Sequence, residues 1–313
     1  MSSWTGRVDG QKREQLRWHQ VVRVVDDIEQ ISRGRGFCIV GFASDEGVRR
    51  NKGRVGAKEG PSAIRGQLSS LAWHFGNVAL YDVGDIEVEG NLEDAQERLS
   101  SAIAEIVKKG LFPIVLGGGH EVAFGSVKGV YDGLGEPVAV VNFDAHFDLR
   151  EENVATSGTP FRQLERLYSR DGFRFDYMCV GIQRAANTIE LFERAKALGV
   201  SWIDIDMIRF NSKAAIKQLS DFLKDKKHVH LTICSDVFAQ SIAPGVSAPT
   251  PFGLFVDEFL SLFYVVLKSG KVVSFDIAEV SPVLDRDNAT SKLAAYIVFR
   301  LVDGVVSNDF FKV

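Results

Sequence analysis

Three ionisable side chains stand at alternating positions directly after an apolar segment of the chain. The segment PVAVVNF occupies residues 137–143, and Asp144, His146 and Asp148 follow it. In an extended strand, residues two apart point to the same face, so we expect these three side chains to converge. An unpaired buried charge is costly, and a bound divalent cation would compensate for it. Carboxylate and imidazole ligands suit Mn²⁺ or, less specifically, Fe²⁺, Co²⁺ or Zn²⁺.

A second motif follows the apolar segment 111–116. Three consecutive glycines, residues 117–119, precede His120 and Glu121. Glycine lets the backbone turn sharply and approach a ligand closely, but no Lys-Ser/Thr pair follows, which excludes a phosphate-binding P-loop. Two interpretations remain for His120: a surface residue in a tight turn, or a fourth metal ligand. Its place one strand before Asp144 favours the ligand.

Two further segments end in acidic residues. Asp236 closes an apolar run as Asp148 does, and Cys234, two residues earlier, is expected on the same strand face. Glu279 comes just after the segment VVSFDIA. For Asp276, within that segment, we expect an ordinary helix-capping or surface role.

These motifs need a scaffold, and the chain alternates apolar segments with amphipathic ones. Strands are predicted around GFCIVGF, NVALYDVG, LFPIVLG, PVAVVNF, DYMCVGI, VSWIDI, HVHLTIC and KVVSF, and helices over 92–110 and 212–227, the latter capped by Ser212. This alternation predicts an α/β fold of three αβα layers around a mostly parallel sheet. We expect one catalytic domain over 1–313, with a helical extension in 1–30. Ligands of such sheets bind beyond the carboxyl ends of the strands.

Composition limits the function classes. The chain has 313 residues, of which 45% are hydrophobic and 25% charged, and its net charge of -4 argues against nucleic-acid binding. No apolar run approaches 18 residues, and the N-terminal segment MSSWTGRVDGQKREQ has no apolar signal-peptide region. The three cysteines, Cys38, Cys179 and Cys234, do not form a disulfide framework, so we expect a cytoplasmic protein that binds neither membrane nor nucleic acid.

Taken together, the motifs resemble those of the arginase/agmatinase (ureohydrolase) family. GGGHE, NFDAHFD, SD followed by APGVSAP, and SFDIAEVSP occur in the family's order and spacing, from about residue 36 onward. The segments SDEGVRRNKGRVGA, SGTPFR and GIQRAANT look like the formimidoylglutamase branch. That resemblance implies an arginase-like fold and the hydrolysis of N-formimidoyl-L-glutamate to L-glutamate and formamide, in histidine degradation.

The resemblance also implies two Mn²⁺ ions per subunit. His120, Asp144 and Asp148 would hold one ion, and His146, Asp144 and Asp236 the other, with Asp144 bridging the two. A hydroxide between the ions would be the nucleophile. A homo-oligomer, possibly a trimer, is expected on the same grounds.

Two of the implied residues are catalytic. Glu279 would pair with the amidinium group of the substrate and orient its carbon. Asp148 would also carry a proton from the nucleophile to the leaving amine. The histidine that arginases carry after their Ser-Gly segment is replaced by Phe161, so a proton shuttle there is not expected.

Cys234 stands where the wider family has a metal-binding aspartate. A thiolate suits Mn²⁺ poorly, which places the second metal in question. Three roles stay open for Cys234: a metal ligand, a small buried hydrophobic residue, or the partner of Cys38 in a redox-sensitive disulfide beside the metals.

The implied substrate has two carboxylates, which arginine can bind bidentately. We favour Arg54 and Arg162, because both lie in glycine-containing loops, and then Arg184; Arg49, Arg50 and Arg150 are further candidates, and at least half of the six are expected in surface ion pairs. Asn51, Ser157 and Asn187 could add neutral hydrogen bonds.

Two alternative functions stay open. The chain could act on a guanidino compound, as an arginase- or agmatinase-like ureohydrolase, or it could be a metal-poor, non-catalytic relative that serves as a regulatory or binding subunit. The arginine-rich segment 44–57 argues against agmatine, which carries no carboxylate.

Overall fold

A computed structural model describes residues 4–308 of the chain, and these residues form one nine-stranded sheet. The strands are β1 (Arg23–Val24), β2 (Gly36–Ala43), β3 (Ala79–Glu87), β4 (Phe112–Leu116), β5 (Ala139–Phe143), β6 (Tyr177–Ile182), β7 (Ser201–Asp204), β8 (Val229–Cys234) and β9 (Val272–Ala278). Their order across the sheet is β1-β3-β2-β4-β9-β8-β5-β6-β7. Every neighbouring pair is parallel, which confirms the predicted sheet type.

Helices cover both faces of this sheet. They are α1 (Trp18–Val21), α2 (Glu46–Arg50), α3 (Gly60–Ser69), α4 (Leu92–Lys108), α5 (Val122–Leu134), α6 (Pro160–Arg170), α7 (Ile189–Ala197), α8 (Ile205–Phe210), α9 (Ser212–Lys224), α10 (Val256–Lys268) and α11 (Ala289–Ser307). Short 3-10 helices lie between them at Arg13–Gln15, Ile28–Gln30, Ala57–Glu59, Arg184–Ala186, Ser235–Val237 and Pro282–Leu284. None of the helices described is long and apolar enough to cross a membrane.

The apolar cores on the two faces explain why the inner strands read as continuous hydrophobic runs. All residues of β2, β4, β5, β6 and β8 are buried. On one face, β8 and β9 pack with α3, α10 and α11, and on the other face, β4, β5 and β6 pack with α4, α5 and α6. Strands that are covered on both faces need apolar side chains at successive positions, as the sequence shows.

The eight predicted strands and the helices at 92–108 and 212–224 are present, with small differences at their ends. Ser212 is the first residue of α9 rather than its N-cap; Asn211 takes that position, without a capping hydrogen bond from its side chain. Helix ends are set by local backbone geometry, which a single polar residue in the sequence indicates only approximately.

The helical extension predicted for residues 1–30 is wrong for the part that the structure describes. Instead of one helix, this segment contains two short 3-10 helices, the four-residue α1, and β1 at the edge of the sheet. Trp18 is fully buried and packs edge-on against Trp73 at 5.2 Å and Phe75 at 6.1 Å between ring centroids. This anchor fixes the segment against the sheet, and the β-branched valines after it favour the extended conformation in which β1 pairs with β3.

The proposed disulfide between Cys38 and Cys234 is also wrong. Cys38 lies on β2 and Cys234 on β8, and two strands, β4 and β9, separate them. Three strand spacings amount to roughly 14 Å, far beyond the Cα separation of about 4.4–6.8 Å that a disulfide requires. All three cysteines are free and buried.

The triple glycine turn after β4 allows the close backbone approach expected of it. The Gly119 amide donates to the Ser44 carbonyl at 2.9 Å. A Cβ at Gly118 would lie only 1.8 Å from that same oxygen. Only glycine therefore lets the turn before His120 pack against the end of β2.

Gly118→Ala should lower the free energy of unfolding by about 1–3 kcal/mol, because the added methyl group meets backbone that cannot move aside. Gly66→Ala is the matched control: Gly66 lies exposed in α3 with nothing within 4 Å of its would-be Cβ, so alanine should stabilise by about 0.5–1 kcal/mol. Urea unfolding curves would measure both. Equal effects of the two substitutions would contradict the steric explanation.

Candidate functional site

Four adjacent strands in the middle of the sheet deliver the predicted metal ligands to one edge. The strands are β4, β9, β8 and β5, and the residues at or just beyond their carboxyl ends are His120, Glu279, Cys234, Asp236, Asp144, His146 and Asp148. Because these strands are parallel neighbours, their ends meet at the same edge. The structure thus brings all seven residues together.

Asp144, His146 and Asp148 converge as predicted, but they do not lie on a strand face, and that part of the prediction is wrong. β5 ends at Phe143, and residues 144–148 form an irregular loop. The loop is shaped by a hydrogen bond from the His146 amide to Asp144 Oδ1 at 2.7 Å and by a left-handed backbone at Asp148, with φ of 48°. A non-glycine residue in that region is uncommon and is typical of functional sites.

Asp144 is the centre of the cluster. It is fully buried, its Oδ2 lies 2.9 Å from His120 Nδ1, and its Oδ1 lies 3.4 Å from His146 Nδ1. The same nitrogen of His120 is 2.9 Å from Asp148 Oδ2, and that of His146 is 3.2 Å from Asp236 Oδ2. Asp144 therefore has one carboxylate oxygen directed to each imidazole, as a bridging ligand would.

Two overlapping groups of side chains have their donor atoms close enough to share an ion. His120, Asp144 and Cys234 form one group and Asp144, His146 and Asp236 the other, with donor atoms within 4.8 Å of one another in each. The second group is the predicted one. In the first, Cys234 takes the place that the sequence argument gave to Asp148, which still contacts His120.

The protonation behaviour of the cluster reflects its crowding. Burial raises the pKa of Asp148 to about 6, and the charge of Asp144 adds to that rise. Burial and the charge of Asp236 raise the pKa of Glu279 well above its usual range. For Asp144, burial would raise the pKa, but hydrogen bonds from His120 and His146 lower it instead.

The two imidazoles show the opposite effect. Burial alone would lower the pKa of His120, but hydrogen bonds to Asp144 and Asp148 raise it well above its usual range. Burial would likewise lower the pKa of His146, but the charge of Asp236 and a hydrogen bond to Asp144 raise it well above its usual range. The carboxylates of the cluster thus supply more negative charge than two imidazoles offset, and this environment favours a cation.

Two buried carboxylate oxygens of the cluster have no hydrogen-bond partner among the residues that the structure describes. They are Asp236 Oδ1 and Glu279 Oε2, on side chains whose residues are each 4% exposed. A buried acceptor without a partner costs free energy, which a bound cation or a cationic substrate group would recover. Oxygen and imidazole donors with two such orphan atoms therefore fit a divalent metal centre.

Glu279 is held in a fixed orientation at the end of β9. Its backbone is left-handed, with φ of 63°, and its amide donates to the Gly118 carbonyl at 2.8 Å. Its Oε1 accepts from the His120 amide at 3.2 Å, which leaves Oε2 directed elsewhere. The backbone of the glycine turn thus positions both His120 and Glu279.

Cys234 is buried beside these acids. Burial raises the pKa of its thiol well above the usual range, and the charges of Asp144 and Asp236 add to the rise. A thiol that holds its proton is a weak ligand for a hard ion.

A cavity of about 300 Å³ opens above the cluster. Glu279 and all the candidate ligands except Asp144 line one part of it. The other lining residues, of which Lys52, Arg54 and Arg150 are exposed at its mouth, are Asn51, Lys52, Gly53, Arg54, Arg150, Ser157, Asn187, Leu191, Ser247 and Ala248. Five of the nine candidate substrate-binding residues therefore lie at the cavity: Arg54, Arg150, Asn51, Ser157 and Asn187.

The side chains of four of these five, all but Arg150, form hydrogen bonds within the described residues. Asn51 Nδ2 donates to Ser157 Oγ at 3.1 Å, which leaves the hydroxyl proton of Ser157 available. Arg54 Nε donates to the Ser247 carbonyl at 2.9 Å. The side chain of Asn187 holds residues 144–148, which we call the ligand loop. Its Oδ1 accepts a hydrogen bond from the Phe147 backbone amide at 3.1 Å, and its Nδ2 donates to the Ala145 carbonyl at 2.9 Å.

Arg162 and Arg184 lie elsewhere in the described chain. Arg162 forms ion pairs with Glu151, at 2.5 Å, and with Glu165, and neither it nor Arg184 lines the cavity. Arg184 is exposed in a 3-10 helix. Arg162 was expected in a glycine-containing loop, but it lies in α6, where its charge is engaged by the two acidic residues.

Two cationic side chains lie at the cavity mouth: Lys52, which was not among the candidates, and Arg150, which ranked below Arg54, Arg162 and Arg184. Neither has an acidic partner among residues 4–308, whereas Arg49 and Arg50 both pair with Glu46. The helical spacing of Glu46 from these arginines could have excluded them from the candidates.

Asp276 was expected to cap a helix or lie at the surface, and that expectation is wrong. The residue is fully buried, and its Oδ2 lies 2.9 Å from His230 Nε2 on the neighbouring strand. Phe161 is buried as well, and its ring packs edge-on against His120 at 5.4 Å between centroids.

Comparisons with known proteins agree with this geometry. The model of a protein family described as the arginase family matches residues 35–303. A formimidoylglutamase of Aeromonas hydrophila is 44% identical, over 96% of this chain and 97% of the relative. One of Clostridium tetani is 41% identical, over 96% and 94%.

Solved structures show the same fold. Formimidoylglutamase from Bacillus subtilis superposes with a TM-score of 0.85 at 25% identity, covering 96% of this chain and 95% of that one. Trypanosoma cruzi formiminoglutamase with Mn²⁺ gives a TM-score of 0.80 at 28% identity, covering 90% and 96%. By the extent of the family match and by its relatives over nearly the whole length, the chain belongs to the arginase family.

Proposed function

We propose that the chain is a formimidoylglutamase, which hydrolyses N-formimidoyl-L-glutamate to L-glutamate and formamide. The observation that carries this proposal is the pairing of two features: a buried cluster of carboxylates and imidazoles, and a cavity mouth with cationic side chains that have no acidic partner within residues 4–308. Its relatives over nearly the whole length carry the same name.

The proposed cofactor is a pair of Mn²⁺ ions. His146, Asp144 and Asp236 would hold one, and His120, Asp144 and Asp148 the other, with Cys234 next to it. Such a pair, when bound, supplies Lewis acidity and a nucleophile at neutral pH.

The residues of the chain orient the substrate and move protons. The unpartnered Glu279 Oε2 can accept hydrogen bonds from the amidinium group of the substrate and hold its carbon above the cluster. Water adds to that carbon, the bond to the glutamate nitrogen breaks, and the departing nitrogen takes a proton. Asp148, which lines the cavity, can carry that proton from the attacking water to the departing nitrogen.

The two carboxylates of the substrate call for cations at the other end of the cavity. Arg150 and Lys52 are the best placed, because neither forms an ion pair with an acidic residue of the described chain. Arg54 lies beside them but is partly committed to the Val246 and Ser247 carbonyls. The Ser157 hydroxyl can donate a further hydrogen bond.

Cys234 is the observation that favours the second candidate, a metal-poor relative without catalytic activity. A protonated thiol in place of a carboxylate weakens one metal position. The orphan oxygens of Asp236 and Glu279 favour the enzyme, because a protein that bound no cation would gain nothing from burying them.

A substrate panel tests the proposal directly. Purified chain dialysed with Mn²⁺ should release formamide from N-formimidoyl-L-glutamate and little or no urea from arginine or agmatine. The cations of the cavity mouth would have no carboxylate to bind in agmatine, and only one in arginine. Urea release that exceeded formamide release would favour the guanidino alternative, and no turnover of any of the three would favour the non-catalytic one.

Arg150→Ala should raise KM for N-formimidoyl-L-glutamate by roughly tenfold or more, because it removes a charged hydrogen-bond donor from a substrate carboxylate. The change in kcat should be smaller. Arg162→Ala is the control, because that side chain is engaged by Glu151 and Glu165 outside the cavity. If Arg162→Ala raised KM as strongly as Arg150→Ala, the assignment of the carboxylate site would be wrong.

Cys234→Asp should raise the Mn²⁺ content per chain towards two after equilibrium dialysis, measured by atomic absorption. The substitution replaces a protonated thiol with a hard oxygen donor beside Asp144. Cys179→Ala is the control, since that thiol hydrogen-bonds the His146 carbonyl at 3.2 Å and belongs to neither candidate group. An unchanged Mn²⁺ content in Cys234→Asp would show that the thiol does not limit the second position.

A further inference from the structure

A continuous hydrogen-bonded series of buried polar side chains runs from the core of the sheet to His120. It connects Ser274, His230, Asp276, Thr232 and His120, each no more than 2% exposed. His120 Nε2 lies 3.0 Å from Thr232 Oγ1, the Thr232 hydroxyl donates to Asp276 Oδ1, and Asp276 Oδ2 lies 2.9 Å from His230 Nε2. His230 Nδ1 lies 2.7 Å from Ser274 Oγ.

The register between β8 and β9 brings the side chains of this series together. Thr232 of β8 is paired with Asp276 of β9, and His230 with Ser274. Residues two apart on a strand face the same side, so all four side chains project from one face. Polar groups inside an apolar core need a function, since they contribute no more to packing than apolar side chains of the same size would.

The direction of each hydrogen bond follows from the chemistry of the groups. An ionised carboxylate can only accept, and Asp276 is buried against His230, whose charge and hydrogen bond lower its pKa against the effect of burial. Thr232 therefore donates its one proton to Asp276. Its oxygen is then left to accept, and the donor facing it must be Nε2–H of His120.

This direction decides which nitrogen of His120 carries a lone pair. With the proton on Nε2, a neutral imidazole presents its lone pair at Nδ1, the nitrogen 2.9 Å from both Asp144 and Asp148. We propose that Thr232 and Asp276 are positioning residues that hold His120 in the Nε2–H tautomer and thereby present Nδ1 to a divalent cation. This inference rests on the metal centre of the proposed function.

A purely structural role of Thr232 and Asp276 would require only that their hydrogen bonds are present. The positioning role depends on the direction of those hydrogen bonds as well. In Asp276→Asn, the side-chain oxygen can still accept from His230, and the amide nitrogen then faces Thr232 as a donor. The Thr232 hydroxyl would turn towards His120 Nε2 and require a lone pair there. The imidazole proton would move to Nδ1, where it competes with the metal, although the shape of the side chain is unchanged.

The experiment measures Mn²⁺ binding to the full-length chain by electron paramagnetic resonance of free Mn²⁺. Thr232→Val, which keeps the shape but removes the hydroxyl group, should weaken one of the bound equivalents by roughly 10–100-fold, as the loss of a partner of a metal-binding histidine does. Asp276→Asn should do the same. Thr232→Ser keeps the hydroxyl group and should retain affinity within about threefold.

A double-mutant cycle and a spectroscopic signature complete the test. Because Asp276 acts through Thr232, adding Asp276→Asn to Thr232→Val should cost little further affinity. Long-range ¹H–¹⁵N spectra of ¹⁵N-histidine-labelled chain, loaded with diamagnetic Zn²⁺, should show His120 as the Nε2–H tautomer. The resonance is assigned by its absence in His120→Asn.

Ser100→Ala is the control for the general effect of removing a buried hydroxyl group. Ser100 is fully buried and hydrogen-bonded to Asp132, far from the site in the contact between α4 and α5. This variant should bind Mn²⁺ as the wild type does, even if its free energy of unfolding falls. If Thr232→Val does not fold, Asp276→Asn alone tests the tautomer, because it alters no volume.

The possible outcomes separate this inference from the proposed function. If the wild-type chain binds no Mn²⁺, the metal centre itself is wrong. If the wild type binds Mn²⁺ and both Thr232→Val and Asp276→Asn bind it equally well, the positioning role is wrong while the metal centre stands. An Nδ1–H signal for His120 in the loaded wild type would also overturn the inference.

Discussion

The site depends on a single buried carboxylate, that of Asp144, being shared by two imidazoles. One oxygen faces His120 and the other faces His146, and nothing of the side chain is exposed to solvent. A carboxylate with no water around it requires positive charge or donors on both sides. The four central strands, the glycine turn and the ligand loop meet this requirement together, because each of them supplies a group that contacts Asp144 or a neighbour of Asp144.

Hydrogen bonding in the core sets the chemistry at the edge of the sheet. His120 is held by its backbone through Glu279, by its Nδ1 through Asp144 and Asp148, and by its Nε2 through Thr232. Asn187 holds the opposite side of the cluster through the ligand loop. The precision of the site therefore comes from fully engaged polar groups behind the ligands, and the cavity side retains the few groups without partners.

Much of the fold and of the ligand set could be predicted from the sequence, because buried parallel strands and ligand motifs are local patterns. β1 could not, since two residues give no periodic signal. Arg162 failed as a substrate residue because it pairs with Glu151 and Glu165. Glu151 approaches only through the tertiary fold, whereas the helical spacing of Glu165 is a local signal that could have excluded this arginine. The pairing of Asp276 with His230 depends on the register between β8 and β9, which no local pattern in either strand indicates.

The order of the strands also bears on how the protein folds. β4 and β5 follow each other in the chain, yet β9 and β8 lie between them in the sheet. The first four strands and strands β5 to β7 thus form two half-sheets that are joined only through β8 and β9. Contacts over such long stretches of sequence form slowly. Because the donor atoms come from both half-sheets and from the pair of strands between them, a bound metal ion would hold the two half-sheets together.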